Sequence, residues 1–166
     1  LPQDKFIVAF VGGFIERKGV RVLSQALDAA GASSVFIGRG DLRPTAKDMR
    51  FCGAVDHDEI PLYLAAADVF ALPTLNEGCC NAIVEALAMG LPVVSSDRPF
   101  NDGLLTEENS LRIDPTDPAA VAAAIAALKE APALRARLAE GARKTGENLQ
   151  IAMRAKNILK FMEDRL

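Results

Sequence analysis

Short apolar runs alternate with stretches of helical spacing along most of this chain. Phe6 to Val11, Ser34 to Ile37, Met49 to Cys52, Val69 to Leu72, Pro92 to Ser95 and Leu111 to Ile113 all have strand length. Each closes on glycine, proline or a polar turn. Between them, Val20, Val22, Leu23, Ala26, Leu27 and Ala30 recur at helical spacing. Glu59 to Ala67 and Asn81 to Met89 read as two further helices. Strands that are apolar on both sides need cover on both faces, and helices supply it. The pattern predicts an α/β fold, a doubly wound parallel sheet of about six strands with helices on both faces. After Pro118 the chain turns helical, with segments at Ala119 to Lys129, Pro132 to about Lys144 and Glu147 to Leu166. Gly146 is expected to separate the last two. The expected division is therefore residues 1–146 as one domain and 147–166 as a terminal helix.

Composition narrows the partners. The 166 residues are enough for one domain with a full core, and the net charge of -3 lacks the basic footprint that nucleic acid or an anionic membrane favours. No apolar run reaches the length of a membrane helix, and the amino terminus lacks the basic-then-apolar pattern of a signal peptide. Leu1 in place of an initiator methionine suggests an excised piece. Three cysteines without CxxC spacing and one histidine give neither a disulfide framework nor a metal site, so a reducing, cytoplasmic setting is expected.

The segment from Asn76 to Val94 carries the chemistry. Glu77 stands in a glycine-containing loop, and Glu85 lies eight residues on, inside an otherwise apolar helix. A buried carboxylate needs a polar partner, and nothing within that helix supplies one. Three readings are open. The two acids could be a hydrolase pair facing each other across a glycosidic bond. They could be structural, with Glu77 capping a helix and Glu85 meeting an arginine or lysine. Or they could be anchors for the hydroxyls of a sugar and a ribose, which an ionised carboxylate without a competing cation accepts well. The third reading expects neither acid to be spent in an internal ion pair.

Other loops fall on the same edge, at the carboxyl ends of the strands, where ligands sit in such folds. Gly12 and Gly13 open a loop that reaches Arg17, Lys18 and Gly19. It is neither a P-loop nor GxGxxG, so it reads as a diphosphate loop or as a plain turn with solvated cations. Gly78, Cys79, Cys80, Asn81 and Ala82 lead into the Glu85 helix, whose free amides and positive dipole end favour phosphate. Asn81 is a plausible N-cap. Packing beside the backbone suits Cys79 and Cys80 better than redox work does. His57, beside Asp56, Asp58 and Glu59, reads as a solvated loop residue or a base contact ahead of a catalytic base.

Glu77 and Glu85, followed by Ala86-Leu87-Ala88-Met89-Gly90-Leu91-Pro92-Val93-Val94, resemble the signature of the family 4 retaining glycosyltransferases of the GT-B fold. Phe10-Val11-Gly12-Gly13 through Lys18-Gly19, Ile37-Gly38-Arg39-Gly40, Phe51-Cys52-Gly53-Ala54-Val55, Tyr63 to Phe70, and Asn109 to Pro115 match the family in order and spacing. The resemblance spans nearly the whole chain. It implies the carboxy-terminal, Rossmann-like donor-binding half of a two-domain enzyme that moves a hexose from a nucleoside diphosphate sugar to a carbohydrate or lipid acceptor, with retention. UDP stands ahead of GDP or ADP. Glu77 would then hold the sugar and Glu85 the ribose. Lys18 and the amides from Gly78 to Ala82 would meet the diphosphate, and the backbone at Val55 would read the base. No metal and no separate cofactor are implied.

The implied partners are the nucleotide sugar and the amino-terminal acceptor domain of the parent chain, which could lie peripherally at a membrane. The terminal helix would cross back to that acceptor domain. One departure stands out, because the family usually has arginine where this chain has Gly13. Arg17 is expected to stand in for it. Rival functions are a nucleotide-sugar epimerase and a non-catalytic nucleotide-sugar-binding module.

Overall fold

The computed structural model describes residues 5–78 and 80–149, with Leu159, Met162 and Glu163 beyond them. The expected terminal helix from Glu147 to Leu166 lies almost wholly outside the described residues. Six parallel strands form one sheet: β1 (Ile7–Val11), β2 (Ser33–Ile37), β3 (Met49–Gly53), β4 (Val69–Leu72), β5 (Val93–Ser96) and β6 (Ser110–Ile113). Their order across the sheet is β3-β2-β1-β4-β5-β6, with every pairing parallel. This is the Rossmann-like arrangement expected from the sequence. The order reverses between β1 and β4, so the loops leaving these two strands diverge around a crevice.

Among the described residues up to 149, five helices cover the sheet: α1 (Val20–Ala30), α2 (Ile60–Ala65), α3 (Asn81–Ala88), α4 (Pro118–Glu130) and α5 (Pro132–Asn148). Helix α1 packs on α4, and α3 on α5. The central strands β1, β2 and β4 are buried along their entire length. Helix α1 shows how the pattern works. Val20, Leu23, Ala26 and Leu27 are buried at helical spacing, and Arg21, Gln25 and Asp28 face water. Each such Val or Leu contributes about 1.5–3 kcal/mol when fully buried. The helix stops at Gly31, whose left-handed φ of 56° lets its amide bond back to Asp28 and Leu27.

The expected break at Gly146 does not occur. Helix α5 runs through it to Asn148. Gly146 is there for packing: a Cβ at this position would lie 2.6 Å from Ala88 Cα and 2.7 Å from the Leu87 carbonyl oxygen. The glycine lets α5 press backbone to backbone against the end of α3. The sequence could not distinguish this use from a helix stop, because both call for a residue without a side chain.

Gly146→Ala is therefore expected to lower stability by about 1–3 kcal/mol through overpacking, despite alanine's better helix propensity. Gly103→Ala, where a Cβ would meet nothing within 4 Å, should leave the thermal midpoint nearly unchanged. Thermal unfolding of the two variants followed by circular dichroism compares them directly.

Candidate active site

Two loops meet at the reversal point. The first leaves β1 through Gly12 and Gly13 and ends in a 3₁₀ turn, Glu16–Lys18. The second leaves β4 through Pro73 and enters α3. They are joined by backbone contacts: the Leu75 amide donates to the Arg17 carbonyl at 2.8 Å, and the Thr74 hydroxyl oxygen lies 3.1 Å from the same carbonyl. Gly19 permits this approach. It adopts φ 70°, and a Cβ there would lie 2.1 Å from the Pro73 carbonyl oxygen.

This contact delivers Lys18 to Glu77. Lys18 Nζ donates to Glu77 Oε1 in an ion pair whose side chains are 15% and 10% exposed. Thr74 Oγ1 lies 2.9 Å from the same oxygen, and Arg17 Nη1 is 3.8 Å away. The expectation that Glu77 has no competing cation is thus corrected. The reason is tertiary, because its partner comes from a loop 59 residues earlier in the chain. Every hydrogen bond to the carboxylate falls on Oε1. Oε2 has no partner among the described residues, and a carboxylate can accept about four hydrogen bonds over its two oxygens.

A buried polar chain lies behind this contact. Ser96 Oγ donates to the Thr74 carbonyl, and Asn101 Nδ2 donates to the Ser96 carbonyl at 2.8 Å. Thr74 and Ser96 are inaccessible to water, and Asn101 nearly so. The sequence reading did not single out these three residues. A polar residue directly after an apolar strand and a proline was the available signal at Thr74.

The Gly12–Gly13 side of the first loop faces an open cleft of 840 Å³, walled by Val11, Arg39, Val55, Asp56, Glu59 and Ile60 among others. A second, mostly apolar cavity of 160 Å³ lies next to it, sharing Ile60, and Glu85 lines this one with His57, Pro61 and Met89. Glu85 is half-buried and makes no hydrogen bond or ion pair among the described residues. Glu77 lines neither cavity, so the geometry gives no support to a hydrolase pair. Val55 stands in the wall of the large cleft. His57 begins a 3₁₀ turn fixed by a capping box between Asp56 and Glu59.

Asn81 is not the N-cap of α3. It is the first helical residue and is exposed, and Cys80 takes the cap position without any side-chain cap bond. The helix therefore starts with its leading amides uncapped by a side chain. Gly78 lies beside it, with open space where a Cβ would be. Cys79 lies outside the described residues. Cys80 is buried, and burial pushes its thiol up, with Glu77 adding to the effect against the Ile83 and Ala82 amides and Lys18. That agrees with a packing role. Among the described residues no cluster of three His, Cys, Asp or Glu side chains could hold a metal ion, and no helix is long and apolar enough to cross a membrane.

Residues 5–131 match the model of the glycosyl transferases group 1. The chain belongs to this family. It is 35% identical over 158 residues to the lipopolysaccharide core biosynthesis glycosyltransferase LpsE of Rhizobium meliloti, covering 87% of this chain and 45% of that protein. Among solved structures, the sucrose-phosphate synthase of Thermosynechococcus elongatus superposes with a TM-score of 0.81 at 26% identity, over 100% of this chain and 47% of the other. HepE of Anabaena, solved in complex with UDP, superposes with a TM-score of 0.83 at 20% identity, over 97% and 49%. This chain spans less than half the length of the curated relatives it matches here, from 29% to 45%. Members of the family are GT-B glycosyltransferases, and the six-stranded sheet seen here is that of one GT-B half.

A raised thiol holds less thiolate at any given pH, and burial restricts access further. At pH 8, Cys80 is expected to react with iodoacetamide more slowly than the half-buried Cys52. Tandem mass spectrometry of the digest resolves the two sites. Faster labelling at Cys80 would argue for an activated thiol.

Proposed function

We propose that this chain is the donor-binding half of a two-domain glycosyltransferase, and that the parent moves a hexose from a nucleoside diphosphate sugar to a carbohydrate or lipid acceptor with retention. The observation that carries the reading is the contact of Lys18 with Glu77 at the strand-order reversal, on the loop whose Gly12 and Gly13 wall an 840 Å³ cleft. Ligand crevices of α/β sheets lie at this point, and the volume is within the range of ordinary ligand sites.

In this reading the ion pair holds both groups in place before the donor arrives. Lys18 carries three donors and can keep Glu77 while meeting the leaving diphosphate. Glu77 can keep Lys18 on Oε1 and offer Oε2 to a sugar hydroxyl. Gly12 and Gly13 let the donor approach the backbone closely, and Gly78, Cys80, Asn81 and Ala82 offer amides at the start of α3. Fixed cations and helix amides would then carry the charge that develops on the leaving group. Glu85, unpaired among the described residues in the smaller cavity, takes the ribose diol, and the Val55 backbone meets the base. The acceptor is recognised by the amino-terminal domain of the parent, towards which the terminal helix returns. The cytoplasm, where nucleotide sugars are at hand, is the setting proposed for it.

Titration calorimetry with UDP, GDP and ADP tests the nucleotide reading. UDP is expected to bind best, and Glu85→Ala should weaken the preferred nucleotide by about 1–3 kcal/mol, the cost of a lost charged partner. No heat with any of the three would end the reading, and an unchanged affinity in the variant would remove Glu85 from the site.

The chemistry itself is a property of the parent. The 166-residue chain is expected to bind nucleotide and transfer no sugar. The complete enzyme should give a product with the donor's anomeric configuration, read from its anomeric proton coupling by NMR. An inverted product would overturn the retaining assignment, and epimerised sugar released without acceptor would favour the epimerase.

A further inference from the structure

The arginine usual in this family at the Gly13 position has no counterpart there, and the structure turns Arg17 elsewhere. Arg17 Nη1 donates to the Asn76 carbonyl at 2.5 Å and lies 3.8 Å from Glu77 Oε1. Lys18 is bonded to the same carboxylate. One acid thus partly neutralises both cations of the first loop.

A third cation lines the large cleft with Gly12 and Gly13, and it is Arg39. Its side chain is exposed and makes no hydrogen bond or ion pair among the described residues. Its backbone is tightly held. The Arg39 carbonyl accepts from the Phe14 amide at 2.9 Å. The glycine before it could not carry a Cβ, which would lie 1.9 Å from the Gly12 carbonyl oxygen. A Cβ on Gly13 itself would have the Arg39 carbonyl oxygen among its nearest atoms, at 4.0 Å, so the place is open. The other charged residues lining the cleft, Asp56 and Glu59, are joined in their own capping box.

We propose that Arg39 is the guanidinium that meets the donor diphosphate, filling from the β2 loop the role left empty at Gly13. The assignment rests on the nucleotide-sugar reading above. A guanidinium suits the task because its planar fork matches two phosphate oxygens and it stays charged. Gly13 puts no side chain between the β2 loop and a diphosphate lying against the first loop.

The test is calorimetric titration of the 166-residue chain with UDP, or with GDP or ADP if one of those binds better, at low and at high salt. Arg39→Gln should weaken the diphosphate roughly tenfold at low salt, as expected for a lost charge-assisted bond. It should also narrow the difference between the two salt conditions, because one cation fewer is screened. Arg39→Lys should recover part of the loss, and Arg17→Gln should cost less than Arg39→Gln. Thermal unfolding should show both Gln variants folded, since both residues are exposed. Unchanged affinity in Arg39→Gln overturns the assignment. A loss of equal size at both salts does so too, placing the guanidinium on the base instead of the phosphates. If the unaltered chain binds none of the three diphosphates, the nucleotide reading fails and this assignment falls with it.

Discussion

A parallel sheet buried on both faces leaves no polar surface of its own. Here β1, β2 and β4 are closed to water from end to end, so hydrophobic burial fixes where they sit and leaves no room in them for chemistry. Functional groups are displaced to the loops at the carboxyl edge. The strand order reverses between β1 and β4, and the two loops that carry Lys18 and Glu77 meet there.

Backbone contacts join those loops as well as charge. Gly19 takes a left-handed conformation that brings the first loop against the Pro73 carbonyl. Leu75 then binds the Arg17 carbonyl, with the Thr74 hydroxyl oxygen close to it, and Ser96 and Asn101 brace Thr74 from behind. The Lys18–Glu77 pair is a consequence of this stitching. Its cost is moderated because the carboxylate also has Thr74 nearby and the pair is not wholly cut off from water.

Much of this was legible in the chain. The strand boundaries fall within a residue of the periodicity reading, since a run apolar on both sides has few alternatives to a covered strand. The edge on which the motifs gather was legible too, because each motif follows directly on a strand. Gly146 misled: a glycine in a helical stretch can end it or let another helix touch it, and only the neighbouring α3 decides. Asn81 misled for a smaller reason, as the helix begins one residue earlier than a side-chain cap there would require. Thr74, Ser96 and Asn101 escaped notice because their importance lies in partners 3 to 22 residues away across strand ends.

Local spacing alone determined the layered fold, the edge that carries the loops and the two acids of the α3 segment, because period and turn residues are properties of neighbours along the chain. Tertiary structure alone decided that Glu77 meets Lys18, that Glu85 lines a separate cavity without a cation, and that Arg39 rather than Arg17 faces the cleft. Those outcomes depend on distances between loops tens of residues apart, and they are set by how closely glycine lets one backbone approach another.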